Sequence, residues 1–261
     1  MATVKHISSR DNPFFKELSK LAGSSRQRRK SGKTLLDGAH LVHAYMQSGQ
    51  RPLQLLVNAA AEFDPEIANL LVQLPEVPVI CLDDTLFGEL SELKTPSGLL
   101  ALIDLPQPHV SPSHSHFCIL LEDVQDPGNL GSILRTAAAA GCDAAFLSAG
   151  CADVWSPKVL RAAMGGYFAM SVHEHVDLFN VAAVFEGNIL ATELRAANSL
   201  YQTELVGNLA FAFGNEGAGL SHALAAVCRQ RISIPMPGKV ESLNVAAAAA
   251  ICLFEAARQR A

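Results

Sequence analysis

The sequence lacks the marks of a membrane or secreted protein. No uninterrupted apolar run approaches the roughly 18 residues that a bilayer-spanning helix needs. The opening stretch MATVKHISSRDN has no apolar core of the signal-peptide type. A cytoplasmic protein with no membrane partner is expected. Cysteine is sparse: Cys81, Cys118, Cys142, Cys151, Cys228 and Cys252 are scattered through mostly apolar segments, with no CxxC pair and no histidine at zinc-finger spacing. Reduced, buried thiols and no metal site are expected. Neither the dinucleotide fingerprint GxGxxG nor a GxxxxGK phosphate loop occurs, so nicotinamide dehydrogenase and nucleotide triphosphatase readings lose their best support. Charge is also sparse, at 17% of residues against 49% hydrophobic ones, the balance of a well-packed globular protein rather than a disordered one.

The charge that is present is unevenly placed. Residues 1–33 carry nine Lys or Arg against Asp11 and Glu17, so this segment is +7 while the whole chain is −5, leaving −12 for the rest. A basic end on an acidic protein points to a polyanionic partner held there; a solvated, charged helix face is the alternative. Arg10, Lys16, Arg26, Arg28, Arg29 and Lys30 are the candidate contacts. The run Arg26-Gln27-Arg28-Arg29-Lys30 lies between Gly23-Ser24-Ser25 and Ser31-Gly32, which predicts a flexible loop able to mould itself to phosphates.

Two domains are expected. In residues 1–105 a helix follows Asn12-Pro13, short apolar runs occupy 34–36 and 53–57, a helix falls near 65–72, and a strand covers 79–82. A further helical stretch leads to an apolar strand at 98–103. Residues 106–116, PQPHVSPSHSH, are too rich in proline and serine for a helix or central strand and read as a linker, with His109, His114 and His116 as polar spacing rather than a metal tract. From 117 to 261 strands and helices alternate: FCILL, a helix through 133–140, AAFLS, a helix opened by Ser156-Pro157, FAMSV, a helix at 178–185, NILAT, LAFAF, a helix opened by Ser221, RISIP, and a long helix from about Asn244. Apolar strands separated by helices are the signature of a parallel sheet covered on both faces. His173 and His175, two apart on one expected strand, read as a structural pair.

Ligands of such sheets bind at the carboxyl ends of the strands, and three turns there are unusual. In the turn after FCILL, the stretch DVQDPGNLGSILRTA from Asp123 places Asn129 where a helix cap is expected, and Gly131 leaves room beside Arg135, four residues on. A cap and a surface charge would be the plain alternative. After LAFAF comes GNEGAGLS, whose glycines imply positive φ or close backbone approach, with Glu216 as a carboxylate among exposed amides. After RISIP comes MPGKVESLNVAAAAA, where Ser242 and Asn244 present a hydroxyl and an amide at a helix start whose alanines allow close packing, inside one subunit or across a dimer.

Taken together, NLGSILRTAAAAG, FGNEGAGLS and ISIPMPGKVESLNVAAAAA resemble, in order and spacing, the three motifs of the SpoU (TrmH) family of RNA 2'-O-methyltransferases, part of the SPOUT superfamily. More loosely, RDNPFFKELSKL, TLLDGAHLV and LKTPSGLLALID are similar to the ribosomal-protein-like substrate-binding domain of rRNA-modifying members. The resemblance implies a SPOUT-type parallel sheet with a C-terminal trefoil knot, preceded by a smaller α/β RNA-binding domain. It implies S-adenosylmethionine as cofactor, no metal, a homodimer, and transfer of a methyl group to a ribose 2'-hydroxyl, in rRNA rather than tRNA. By motif position Thr192, Gly214, Ile234 and Leu243 would line the cofactor pocket, and Asn129, Arg135, Glu216, Ser242 and Asn244 would form the reaction site. Ala246 stands where many members carry Ser. A general-base role has been assigned to the arginine in this family, but a guanidinium with a pKa above about 12 is effectively never neutral. Arg135 is expected instead to grip a phosphate and stabilise the forming alkoxide. A non-catalytic RNA-binding or ribosome-assembly factor on the same fold is the competing class, which cofactor binding would separate.

Overall fold

The structure, a computed structural model, describes residues 5–59, 61, 64–91, 93 and 97–261; Lys94, Thr95 and Pro96 of the LKTPSGLLALID stretch lie outside them. The chain divides into two compact units, one of residues Met1–Pro106 with Trp155–Gly165, the other of Gln107–Val154 with Gly166–Ala261.

In the first unit five strands, β1 Lys5–Ile7, β2 Lys33–Asp37, β3 Gln54–Val57, β4 Val79–Leu82 and β5 Leu99–Asp104, form a mixed sheet in the order β1-β4-β3-β5-β2, with β5 antiparallel to both its neighbours. Five helices join them: α1 Pro13–Gly23, α2 Ser25–Ser31, α3 Ala39–Gln47, α4 Pro65–Gln73 and α5 Asp84–Leu90. Asn12 caps α1 as its sequence foretells, accepting from the Phe14 N–H with Pro13 in the first turn, where a missing donor does no harm. Phe15, Leu18 and Leu21 then share one face and enter a core with Ile7, Leu56 and Phe87.

The expected flexible loop at 26–30 is the helix α2. Ser24 accepts from the Gln27 N–H at its start, and Gly32 ends it at φ +66°, a conformation glycine adopts without strain. Being helical, the basic run faces two ways. Arg26, Arg29 and Lys30 are exposed, whereas Arg28 is buried, its Nη1 donating to the carbonyls of Leu21 and, at 2.9 Å, Ala22. Arg28 closes the C-terminus of α1 and is withdrawn from the set of polyanion contacts.

The stretch Trp155–Gly165 lies in sequence inside the expected second domain yet packs in the first unit. Its helix α7, Pro157–Ala163, capped by Ser156, buries Val159, Leu160 and Ala163, and the Thr34 hydroxyl of β2 donates to the Trp155 carbonyl at 2.9 Å. By this division the chain passes from one unit to the other three times, after Pro106, after Val154 and after Gly165.

The second unit is a seven-stranded sheet, parallel throughout. Its strands are β6 Phe117–Leu121, β7 Ala144–Leu147, β8 Ser171–His173, β9 Asn188–Thr192, β10 Asn198–Ser199, β11 Leu209–Phe213 and β12 Gln230–Ser233, in the order β10-β12-β9-β11-β6-β7-β8. Helices α6 Pro127–Ala139, α8 Leu178–Val184, α9 His222–Val227 and α10 Val245–Arg260 accompany it. Every residue of β6, β7 and β11 is buried, which is why these strands read as unbroken apolar runs. From β6 the chain steps outward to the edge β8, then crosses to the other side, where β11 later inserts between β6 and β9. The strand order thus reverses at β6 and β11, a crevice position favoured for ligands in open parallel sheets.

Two further expectations are corrected here. FAMSV is not one strand: Gly166–Ala169 is a 3-10 turn, and β8 ends at His173, so His175 falls outside it at φ +54°. His173 stacks on Phe146 at 4.7 Å between ring centroids, with its Nε2 2.8 Å from the Val110 carbonyl. The proline- and serine-rich stretch is likewise tied down, the N–H groups of His109 and Val110 both donating to the Ser171 hydroxyl of the edge strand. All six cysteines are free thiols, three buried and three half-buried, and burial pushes the Cys252 thiol up to about 12, far from reactive. Among the described residues no cluster of His, Cys, Asp or Glu could hold a metal, and no helix is long and apolar enough to cross a membrane.

Candidate active site

The turns after β9, β11 and β12 meet at the carboxyl edge of the parallel sheet and enclose a cavity of about 430 Å³, inside the range typical of small-molecule sites. Thr192, Gly214, Ile234 and Leu243, the four residues expected to hold a cofactor, all line it, as do Glu216 and Ser242 from the expected reaction site. Thr192 ends β9 with its hydroxyl donating to the Ala212 carbonyl at 2.8 Å, so it braces the cavity floor while its lone pairs stay available. Gly214 must be glycine for a steric reason: a Cβ there would overlap the carbonyl of Gly219 and the nitrogen of Leu220. Gly219 must be glycine for a conformational one, with φ at +70°. The loop between them closes on itself through paired backbone bonds between Asn215 and Gly219, of 3.1 and 2.8 Å. The result is a wall of backbone groups brought close to the cavity, suited to a ligand held through its polar edges rather than by charged side chains.

Glu216 projects from this loop, and what surrounds it defines its role. Its Oε1 accepts from the Asp126 N–H at 2.9 Å and from Asn129 Nδ2 at 3.2 Å, while Oε2 accepts from the Gln125 N–H at 3.2 Å. Partial burial raises its pKa, but these donors outweigh burial and hold it below the ordinary carboxylate value. Glu216 is therefore a fixed anion, a poor base whose lone pairs are engaged, and it clasps the glycine loop to the start of α6.

Asn129 does not cap α6. Asp126 does, its Oδ1 accepting from the Asn129 N–H at 2.8 Å with Pro127 at the first helical position. Placing the cap three residues earlier frees the Asn129 amide to bridge. Its Nδ2 donates to Glu216, and its Oδ1 accepts from Asn244 Nδ2 at 2.8 Å. Asn244 meanwhile caps α10, its Oδ1 accepting from the N–H groups of Ala246 and Ala247. One chain of bonds, Asn244 to Asn129 to Glu216, thus joins the three motif loops. Arg135, further along α6, stands apart from this chain. It is exposed, does not line the cavity, and has no hydrogen-bond or ion-pair partner among the described residues.

Sequence reasoning missed the Asp126 cap, although Asp-Pro before a helical run was a legible signal, and it missed the Gln125 and Asp126 amides, which carry no side-chain signature at all. Of the other candidate polyanion contacts, Arg10 pairs with Glu89, and Lys16 lies 2.8 Å from Asp11, both exposed.

The parallel sheet thus carries at its carboxyl edge one cavity lined by the loops after β9, β11 and β12, with the glycine loop's backbone close against it. Residues 116–254 match the SpoU rRNA Methylase family, and residues 12–101 match the MRM3-like substrate binding domain. The chain belongs to the SpoU rRNA methylase family. It is 31% identical to the 23S rRNA (guanosine(2553)-2'-O)-methyltransferase RlmP of Bacillus subtilis over 96% of this chain and 98% of that one. It is 29% identical to a 23S rRNA (uridine(2479)-2'-O)-methyltransferase of Streptomyces viridochromogenes, over 98% and 93%. Among solved structures, an AdoMet-bound rRNA methyltransferase from Sinorhizobium meliloti superposes with a TM-score of 0.82 at 27% identity, covering 98% of each chain.

Proposed function

We propose that this chain is an S-adenosylmethionine-dependent enzyme that methylates a ribose 2'-hydroxyl of rRNA. The observation that carries the reading is the convergence of three separated loops on one cavity, stitched by the Asn244–Asn129–Glu216 chain. The cofactor fits: the cavity is large enough, Gly214 lets the loop fold back tightly on Gly219 and Leu220, and the walls offer backbone groups for an adenosine. Bound there, it supplies a methyl group on a sulfonium, already activated toward attack by an oxygen.

What remains for the protein is alignment of the attacking hydroxyl and care of its proton. Glu216 keeps the cofactor loop and the α6 start in register rather than taking a proton. Ser242, exposed at the cavity and two residues before Asn244, contributes a hydroxyl that can both donate to and accept from an incoming ribose. Arg135, exposed and uncommitted, suits the phosphate beside the target ribose, where its planar fork grips two oxygens and its charge stabilises the developing alkoxide. The substrate RNA is held by the exposed cations Arg26, Arg29 and Lys30 of α2, with Arg10 and Lys16 nearby in sequence.

The rRNA target is supported by the relatives named above and by the MRM3-like unit. Their different target bases, guanosine in one and uridine in the other, fit recognition of the ribose and phosphate rather than one base. A cytoplasmic homodimer with a trefoil crossing in the loops after β11 and β12 completes the reading, the exposed Phe254 of α10 supplying apolar surface for a second copy.

The test is transfer of radiolabelled methyl from S-adenosylmethionine to unmodified rRNA and to tRNA, followed by nuclease digestion. Label in a 2'-O-methylated rRNA nucleoside, absent with Arg135→Ala, is the expected result. Label in a base, or in tRNA alone, would overturn it.

A further inference from the structure

The turn that follows β6 contains two consecutive acids, Glu122 and Asp123, that none of the roles above uses. Both reach the glycine loop, at opposite ends. Glu122 accepts from the Ser221 N–H and from the Ser221 hydroxyl, each at 2.7 Å, where the loop finishes. The Asp123 carbonyl accepts from Asn215 Nδ2 at 2.9 Å, where the loop begins. Asn215 in turn shapes the loop from within, its Oδ1 accepting from the N–H groups of Gly217 and Ala218 at 3.0 Å each, the two residues that follow Glu216.

Asp123 is itself bent into the left-handed region at φ +55°, which Asp tolerates better than most residues but which no side chain prefers. What holds it there comes from the turn after β7. The Ser148 hydroxyl accepts from the Asp123 N–H at 2.9 Å and donates to Asp123 Oδ1 at 2.6 Å. Gly150, two residues on, lies so close that a Cβ there would overlap the Asp123 carboxylate. Neither Asp123 nor Ser148 lines the cavity.

We infer that Asp123, locked in its left-handed conformation by Ser148 and Gly150, is a positioning residue that presets the glycine loop for the cofactor. Its carbonyl direction is set by the left-handed backbone conformation, the carbonyl aims Asn215, and Asn215 shapes the wall behind which the cofactor binds. The turn after β7 thereby controls cofactor affinity without touching the cofactor. The inference rests on the reading that the cavity takes S-adenosylmethionine.

Calorimetric titration of the full chain with S-adenosylmethionine tests it, with methyl transfer at saturating cofactor as the second readout. Asp123→Ala loses the Ser148 bond and resists the left-handed conformation, so its Kd rises about tenfold, the equivalent of one charge-assisted hydrogen bond. Asp123→Asn keeps an acceptor for the Ser148 hydroxyl and tolerates the conformation, so it restores the affinity to within about threefold. Ser148→Ala falls between them and carries the test alone should Asp123→Ala fail to fold. In all three the loss falls mainly on cofactor affinity, and turnover at saturating cofactor drops by a smaller factor than the Kd rises. Unchanged affinity in Asp123→Ala and Ser148→Ala, or an Asn variant as weak as the Ala one, overturns the inference. Absence of binding by the wild-type protein would instead overturn the assignment of the cavity to S-adenosylmethionine.

Discussion

The arginines of the run 26–30 show how residues of one type, adjacent in sequence, take unlike roles once the backbone coils. Arg28 donates to two carbonyls at the end of α1 from a buried position, so Arg28→Ala leaves those acceptors unmet and is expected to cost about 2 kcal/mol in urea denaturation, the scale of hydrogen bonds to a charged group. Arg26→Ala is expected to leave stability unchanged and to lower the salt dependence of RNA binding by about one unit of slope, since each phosphate contact releases about one counterion. Arg135→Lys is expected to cut methyl transfer at least about tenfold, because a point charge does not reproduce the planar fork. Its affinity for S-adenosylmethionine should not change, since Arg135 lies off the cavity; a loss in cofactor affinity would place the residue in the wrong role. Glu216 carries the pH dependence. Its folded pKa is lowered, so its contribution is complete above the unfolded value of about 4.3 and is lost as pH falls through the lower folded value. The part of cofactor binding that depends on Glu216, read as the difference between wild type and Glu216→Gln, should therefore hold down to about pH 4.3 and fall away only below it. In Glu216→Gln, which has no anion to satisfy the Gln125 and Asp126 amides, binding should be weak at every pH.

At the scale of elements, the sequence was most legible where burial is symmetric. Strands β6 and β11 are found where the apolar runs place them, because a strand covered on both faces has no polar residue to blur it. Helix starts were legible where Pro follows a capping residue, as at Asn12 and Ser156. The reading failed where two caps compete. Asp126 and Asn129 are both good capping residues three apart, and only the proline between them decides for Asp126. It failed again at α2, where serines and glycines flanking a basic run look like a loop but are the two caps of a seven-residue helix. The cavity residues were found by family likeness; the bonds that join them were not, since nothing local in GNEGAGLS says that its carboxylate will meet the amides of residues 125 and 126. Asn244 tests the element directly. Asn244→Ala removes the cap of the sixteen-residue α10, which alone costs about 1 kcal/mol, and cuts the bond to Asn129. Asn244→Asp keeps the capping acceptor but loses the Nδ2 donor, so it should retain thermal stability while losing methyl transfer. Equal activity in Asp and wild type would show that the Asn129 link is dispensable.

For the whole molecule, the consequential feature is that the first unit does not end where its sequence does. The match to the substrate-binding family stops at residue 101, yet α7, carried some fifty residues later by the crossover from β7 to β8, belongs to that unit's fold. It buries Val159, Leu160 and Ala163, and the carbonyl of Trp155 just before it accepts a hydrogen bond from Thr34 on the edge strand β2. Burying a Val or Leu side chain is worth about 1.5–3 kcal/mol, so α7 contributes several kcal/mol to a domain whose total stability is on the order of 5–15 kcal/mol. A fragment of residues 1–106 is therefore expected to melt at a markedly lower temperature than the first unit does within the full chain, and to expose the apolar face of β2. Appending residues 155–165 through a flexible linker should recover a cooperative transition, whereas the same appendage with Leu160→Asp should not. Circular dichroism melts of the three fragments decide it: equal stability with and without α7 would mean that the helix merely rests on a sheet already complete. The expected outcome, dependence on α7, would show that a segment lying between β7 and β8 along the chain completes the fold of the unit that precedes it.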